Sequence, residues 1–258
     1  MFTAQDHGTG PMDTVTIRFL GTGDAFGSGG RLQTCIFVNT AETRFLIDCG
    51  TSSLIGMKRY GVDPSSIDVI LLSHLHGDHF GGIPFIIRES QILAQRTAPL
   101  IIAGPAGLKI RIEEAMGVYF PGSSNIATGF PLEFIELPDN QDLSIDSLHV
   151  TAYPAIHTPA TNPHSLRIRC NSRVIAYSGD TRWNDNLIEA SSMADLFICE
   201  AFEYDKAMDN HIDYRTLMQN RWNLSCKRIV LTHMNDSVLR RKDSLELECA
   251  EDGMIITL

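Results

Sequence analysis

The chain predicts an α/β fold in which two sheets pack face to face and helices cover the outside. Three observations carry that expectation. Short apolar runs of strand length alternate with helical patterns along the 258 residues. The alternation occurs twice, each half opening with hairpin-like strands and continuing as strand–helix units. No linker or shift in composition separates the halves, so residues 1–258 read as a single domain. Its 43% hydrophobic content is enough for a large core.

The first strand is placed at Val15–Leu20, followed by the glycine-rich loop Gly21–Gly30. That loop lacks the Gly-Lys-Ser/Thr ending of a P-loop and leads into a strand, so it borders a site without being a nucleotide fingerprint. Thr34–Asn39 and Arg44–Asp48 form a hairpin around Thr40-Ala41-Glu42-Thr43. Ser52–Tyr60 is helical in pattern, Asp63–Ser66 is a turn, and Val69–Ser73 is a buried strand. Helix Ile83–Gln95, strand Leu100–Ala103 and helix Ala106–Met116 follow. The polar, glycine-containing stretch Gly117–Gly129 reads equally as a flap beside a site and as an ordinary connection. Strands are expected at Leu132–Glu136, Leu148–Pro154, Ser165–Cys170, Val174–Ser178, Leu196–Glu200, Arg228–Leu231 and Met254–Thr257. Helices are expected at Asn184–Ser191, Asp213–Trp222 and Asp243–Ala250.

The formal net charge is −10. An acidic surface disfavours long nucleic acid, whose binding rests on Lys and Arg contacts to phosphates. It leaves room for a small anionic substrate if metal ions supply local positive charge. The six cysteines, Cys35, Cys49, Cys170, Cys199, Cys226 and Cys249, include no C-x-x-C pair and read as reduced thiols of a cytoplasmic protein. No apolar run reaches membrane-spanning length. Residues 1–13 carry neither the basic nor the apolar region of a signal peptide and read as a disordered leader, which sets His7 aside.

The chemistry concentrates in His74-Leu75-His76-Gly77-Asp78-His79. This run follows the apolar strand Val69–Ser73 and precedes the turn Phe80-Gly81-Gly82 into a helix. Three imidazoles and a carboxylate at a strand end form a nest of the ligand types zinc takes. His157, Asp180, Glu200 and His233 each end or just follow another apolar strand. Ligands at the same ends of several strands converge on one edge of the sheets, where α/β sites lie.

With these segments the chain resembles the metallo-β-lactamase superfamily over nearly its whole length, from Phe19-Leu20-Gly21-Thr22-Gly23 to Leu231-Thr232-His233-Met234. The resemblance implies a four-layer αβ/βα sandwich with a dinuclear zinc site, manganese or iron being alternatives. His74, His76 and His157 would hold one metal. Asp78, His79 and His233 would hold the other, with Asp180 bridging. The β-lactamases themselves have Cys at the position of Asp180, which disfavours antibiotic hydrolysis. Leu46-Ile47-Asp48-Cys49-Gly50, Tyr177-Ser178-Gly179-Asp180-Thr181 and Glu200-Ala201-Phe202 are more similar to the ribonuclease Z and phosphodiesterase branch. Relatives there pair as dimers, so a homodimer is compatible with the resemblance. The tRNA-clamping arm of ribonuclease Z falls between His157 and Asp180, and the segment here is too short to contain it. A tRNA 3′-processing endonuclease is therefore disfavoured.

The resemblance implies hydrolysis of a small or cyclic phosphodiester by a metal-bridging hydroxide. Catalysis falls to Asp78, which ligates and orients, and to His211, which protonates the leaving oxygen while Glu200 keeps it basic. Asp48 fixes the tautomer of a ligating histidine. His164 reads either as a contact near the site or as a loop residue. Arg31, with Gly27–Gly30, reads either as a phosphate contact or as a surface residue. The same ligand set also suits a lactone or thioester hydrolase, and a non-catalytic metal-stabilised scaffold is the third reading. The alcohol leaving group of a diester, which needs an acid, favours the first.

Overall fold

The computed structural model describes residues 14–123 and 128–258. The expected leader lies outside them, as does part of the expected flap. Among the described residues there are two seven-stranded sheets.

The first sheet contains β1 (Thr16–Gly21), β2 (Cys35–Asn39), β3 (Arg44–Ile47), β4 (Val69–Leu71), β5 (Leu100–Gly104) and β6 (Leu132–Glu136). The second contains β7 (Asp142–Ile145), β8 (Leu148–Pro154), β9 (His164–Cys170), β10 (Arg173–Tyr177), β11 (Leu196–Glu200), β12 (Ile229–Thr232) and β13 (Glu248–Cys249). The chain then returns to the first sheet as β14 (Ile255–Thr257), antiparallel to β1. Each half starts antiparallel and ends parallel: β1 to β3 precede the parallel series β3 to β6, and β7 to β10 precede β10 to β13.

The two-residue period of the strands separates the layers. Phe45, Ile47, Val69 and Leu71 face the second sheet and pack with Ile175, Tyr177 and Ile198 in one core. Leu46 and Ile70, one residue out of phase, face the other way. There they meet α1 (Ser53–Arg59), α3 (Ile83–Ile92) and α4 (Leu108–Tyr119) through Met57, Ile83, Ile87 and Ile112. On the opposite side Ala176, Phe197 and Leu231 pack under α5 (Asn186–Ser191), α6 (Tyr214–Asn220) and α7 (Asp236–Leu239). The result is the helix–sheet–sheet–helix sandwich. A further short helix, α2 (Gly77–Phe80), lies inside the histidine run.

Three expectations change. The helix over Asp243–Ala250 is instead a 3₁₀ turn at Lys242–Ser244 followed by β13. Leu245, Leu247 and Cys249 alternate inward, while Glu246 and Glu248 reach Arg221 and Arg228. That is a strand period, and the ladder with β12 fixes it. Second, β7 pairs with β8 through a two-residue turn, Asp146-Ser147, with Asp146 at φ 53°. Its mixed composition, Asp-Leu-Ser-Ile, hides it from an apolar pattern. Third, 117–119 belong to α4, so the stretch expected as a flap begins as helix.

Ile198 lies fully buried between the sheets, whereas Ile110 on α4 is 63% exposed. Ile198→Ala is expected to cost about 2–5 kcal/mol. Ile110→Ala should stay within about 0.5 kcal/mol. Urea unfolding followed by circular dichroism measures both, and equal midpoints would contradict this assignment of layers.

Candidate metal centre

β4 ends at Leu71, and the chain turns through Ser73 to place His74 and His76 before α2, which carries Asp78 and His79. Two close backbone approaches seat this helix. A Cβ on Gly50 would lie 2.3 Å from the carbonyl oxygen of Asp78, and one on Gly82 would lie 2.2 Å from that of Gly50. Only glycine lets the Asp48–Gly50 turn lie directly against the ligand helix. Asp48 itself adopts φ 57° and His233 φ 55°, left-handed conformations that a non-glycine residue keeps only when its surroundings impose them.

Hydrogen bonds fix the tautomers. Asp48 accepts from the Ser73 backbone N–H and hydroxyl, each at 2.8 Å, and from His79 Nδ1 at 2.7 Å. The Ser73 hydroxyl, already donating to Asp48, accepts from His74 Nδ1 at 3.1 Å. His157 Nδ1 donates to the Asn210 carbonyl at 2.7 Å. His74, His79 and His157 are thereby left with Nε2 toward the centre.

Those nitrogens form two groups. His76 Nδ1 lies 3.1 Å from His74 Nε2 and 3.0 Å from His157 Nε2. Asp180 Oδ2 is 3.8 Å from His74 Nε2 and 3.9 Å from His157 Nε2. In the second group Asp78 Oδ2 is 3.2 Å from both His79 Nε2 and His233 Nε2. Asp180 reaches this group as well, 3.3 Å from His79 and 3.5 Å from His233. Asp180 is the member common to both.

The donor set fits metal ions. Tetrahedral zinc with bonds of 2.0–2.1 Å would set neighbouring nitrogens about 3.3–3.4 Å apart, close to the spacing here. Buried His79 Nε2 and Asp180 Oδ1 have no hydrogen-bond partner. Burial pushes His74 and His76 below the usual imidazole range and takes His157 down to about 4, which favours the neutral form that can ligate a metal. Burial also opposes charge on His79 and His233, but Asp180 and Asp78 overcome it and raise both. Burial likewise disfavours ionised Asp180, yet His233 and His79 hold it well below the usual carboxylate range. The carboxylates thus demand positive charge, which a cation supplies through the same lone pairs.

Beside the second group lies an acid–base pair. Glu200, fully buried at the end of β11, accepts from His211 Nδ1 at 2.9 Å. Burial disfavours the His211 cation, but Glu200 outweighs it and pushes the ring up to about 9. His211 borders a cavity of about 280 Å³ together with Asp78, His157, Asp180, His233 and Phe202.

Two sequence candidates lie away from this cavity. Arg31 donates to Thr22 Oγ1 at 2.9 Å and to the Ala250 carbonyl, tying the glycine-rich loop to the C-terminal segment. His164 pairs with Asp139 Oδ1 at 2.9 Å and faces a separate cavity of about 780 Å³ on the far side of His157. Its backbone N–H reaches the Ser73 carbonyl at 2.9 Å, so it touches the site only through the chain. Phe26, Phe202 and Asn210 border the cavity and escape sequence reasoning. The aromatic within a glycine-rich loop was the available signal for Phe26. Asn210 acts through a backbone carbonyl, which side-chain identity does not reveal.

The sequence profile of a family described as "Anti-Pycsar protein Apyc1" matches residues 15–251. Ribonuclease Z of Methanothermobacter thermautotrophicus is 28% identical over 284 residues, covering 90% of each chain. The metallo-β-lactamase fold protein YhfI from Bacillus subtilis superposes with a TM-score of 0.78 at 21% identity, over 95% of this chain and 100% of its own. The short form of human tRNase Z gives 0.75 at 24% identity, over 93% and 98%. The fold is that of the metallo-β-lactamase superfamily, and the sequence is ribonuclease Z-like.

Asp48→Asn should keep the shape of the residue but weaken the orientation of His79. Metal affinity is expected to fall about 10–100-fold, read by competition with a chromophoric chelator. Thermal melting of the metal-free variant separates this from a folding defect.

Proposed function

We propose that this chain, which belongs to the Anti-Pycsar protein Apyc1 family, hydrolyses a small or cyclic phosphodiester using two zinc ions. It is a metal-dependent hydrolase of the phosphodiester-cleaving type. His74, His76 and His157 would hold one ion and Asp78, His79 and His233 the other, with Asp180 within reach of both groups. Bound there, the ions supply Lewis acidity, lowering the pKa of water and neutralising charge on the phosphoryl oxygens.

The observation that carries this reading is the Glu200–His211 pair set against the metal ligands. An alkoxide leaves slowly unless a proton meets it. His211 has Nδ1 bound to Glu200 at 2.9 Å, which leaves Nε2–H as the donor to the departing oxygen. Glu200 keeps that ring charged until transfer and stabilises the next protonation. Asp78, anchored on α2, orients the attacking water as a hydrogen-bond acceptor. A thioester hydrolase, whose thiolate leaves without a proton, has less use for such an acid.

Substrate size follows from the chain between His157 and Asp180. It is taken up by a 3₁₀ turn, β9 and β10, with no arm between them. The cavity of about 280 Å³ lies at the small end of ligand sites. A net charge of −10 works against binding a long polyanion.

The zinc-loaded protein is expected to bind two ions per chain by elemental analysis and to turn over bis(p-nitrophenyl) phosphate. Asp78→Ala should abolish that activity. His211→Ala should lower kcat about 10²–10⁴-fold on a diester with an alkyl leaving group. It should matter far less for p-nitrophenolate, which leaves as a stable anion. Equal losses on both leaving groups would remove His211 from the acid role. Turnover of lactones or thioesters but of no diester would overturn the phosphodiesterase reading.

A further inference from the structure

Among the described residues the largest fully buried side chain is Tyr177, at the last position of β10. Its ring packs between the sheets in one core with Ile47 and Leu71, the last residues of β3 and β4. Its hydroxyl is buried and has no hydrogen-bond partner among the described residues. A buried hydroxyl left unpaired costs stability, whereas phenylalanine would fill nearly the same volume without that cost. Packing alone gives the hydroxyl no use.

Its surroundings supply one. β3 hands over to Asp48, β4 to Ser73 and His74, and β10 to Asp180, while β11 ends at Glu200. Tyr177 pairs in the ladder with Ile198 of β11, so it stands where these strand ends meet. The turn after it lies directly against Ser73: a Cβ on Gly179 would be 3.1 Å from Ser73 Cβ and 3.4 Å from Ser73 Oγ, the hydroxyl that donates to Asp48. Burial pushes the Tyr177 hydroxyl well above the usual phenol range, and the carboxylates of Asp48, Asp180 and Glu200 push it further. The phenol therefore keeps its proton and serves an anion as a donor. Asp48 has room for one more. A carboxylate accepts about four hydrogen bonds. Asp48 Oδ2 takes the Ser73 hydroxyl and His79 Nδ1, whereas Oδ1 takes the Ser73 backbone N–H.

We propose that Tyr177 is a positioning residue whose hydroxyl donates to the remaining lone pair of Asp48 Oδ1, pinning the carboxylate that orients His79 and so strengthening metal binding. It touches neither substrate nor metal and acts through Asp48 and His79. This inference rests on the proposed metal site and adds a residue beneath it.

The test is zinc affinity, by competition with a chromophoric chelator, of the wild type, Tyr177→Phe, Asp48→Asn and the double variant. Tyr177→Phe should weaken zinc about 10-fold, at the low end for an outer partner because it acts one step further out. In the Asp48→Asn background the same change should add little, because both act on one carboxylate. Unchanged affinity in Tyr177→Phe with a shifted metal-free melting temperature would make the residue a packing element and overturn the proposal. Losses that multiply independently in the double variant overturn it as well. A wild type that binds zinc but turns over no diester counts against the catalytic reading alone, since the affinity ratios still read Tyr177. A wild type that binds no zinc overturns both.

Discussion

Everything around the centre depends on compensating buried carboxylate charge. Asp48, Asp78, Asp180 and Glu200 are all buried, and the ionisable groups beside them that can carry positive charge are imidazoles, among the described residues. An imidazole can answer a carboxylate in two ways, by carrying a proton or by sharing a cation. The first leaves His79 and His233 charged in a desolvated site, at a cost that hydrogen bonds offset only in part. The second uses the lone pairs that the Asp48, Ser73 and Asn210 hydrogen bonds leave facing inward. An ion bound there would couple its own affinity to folding, because the folded site has few other ways to balance its charge.

The sandwich makes this convergence possible without long loops. Each half runs from antiparallel to parallel strands, so the ends of β4, β10, β11 and β12 come to one edge. His74 to His79 arrive from the first half, and His157, Asp180, Glu200, His211 and His233 from the second. The candidate ligand set therefore spans the contact between the sheets, and the core of Phe45, Ile47, Tyr177 and Ile198 holds its two portions in register. Gly50 and Gly82 act at shorter range, allowing the Asp48 turn and α2 to meet with no side chain between them.

The parts of this arrangement legible in the sequence share a property: each candidate ligand follows an apolar strand. The His74–His79 run declared itself, and His157, Asp180 and His233 could be placed because strands of Val, Ile and Leu point at them. Glu200 and His211 stand eleven positions apart in sequence, and resemblance alone paired them before the 2.9 Å contact did. What stayed hidden was written in backbone or in mixed polarity. The Asn210 carbonyl has no side-chain signature, β7 is half polar, and Leu245-Glu246-Leu247-Glu248-Cys249 mixes leucine with charge in a way that suits a helix until its partners are seen. Arg31 was ambiguous for a related reason: a guanidinium serves a phosphate or a backbone carbonyl equally well, and here Ala250 and Thr22 hold it.

Charge and shape together narrow what enters the site. The surface as a whole repels polyanions, so attraction of a phosphate must be local, confined to the metal ligands and the His211 cation beside them. Such a short-range field favours a ligand with one or two phosphoryl groups over a long chain of them, because every further phosphate meets acidic surface. The neutral remainder of that ligand must then find its own contact. Among the described residues the aromatic groups bordering the cavity, apart from the imidazoles, are Phe26 and Phe202, and Phe202 already lies against His211.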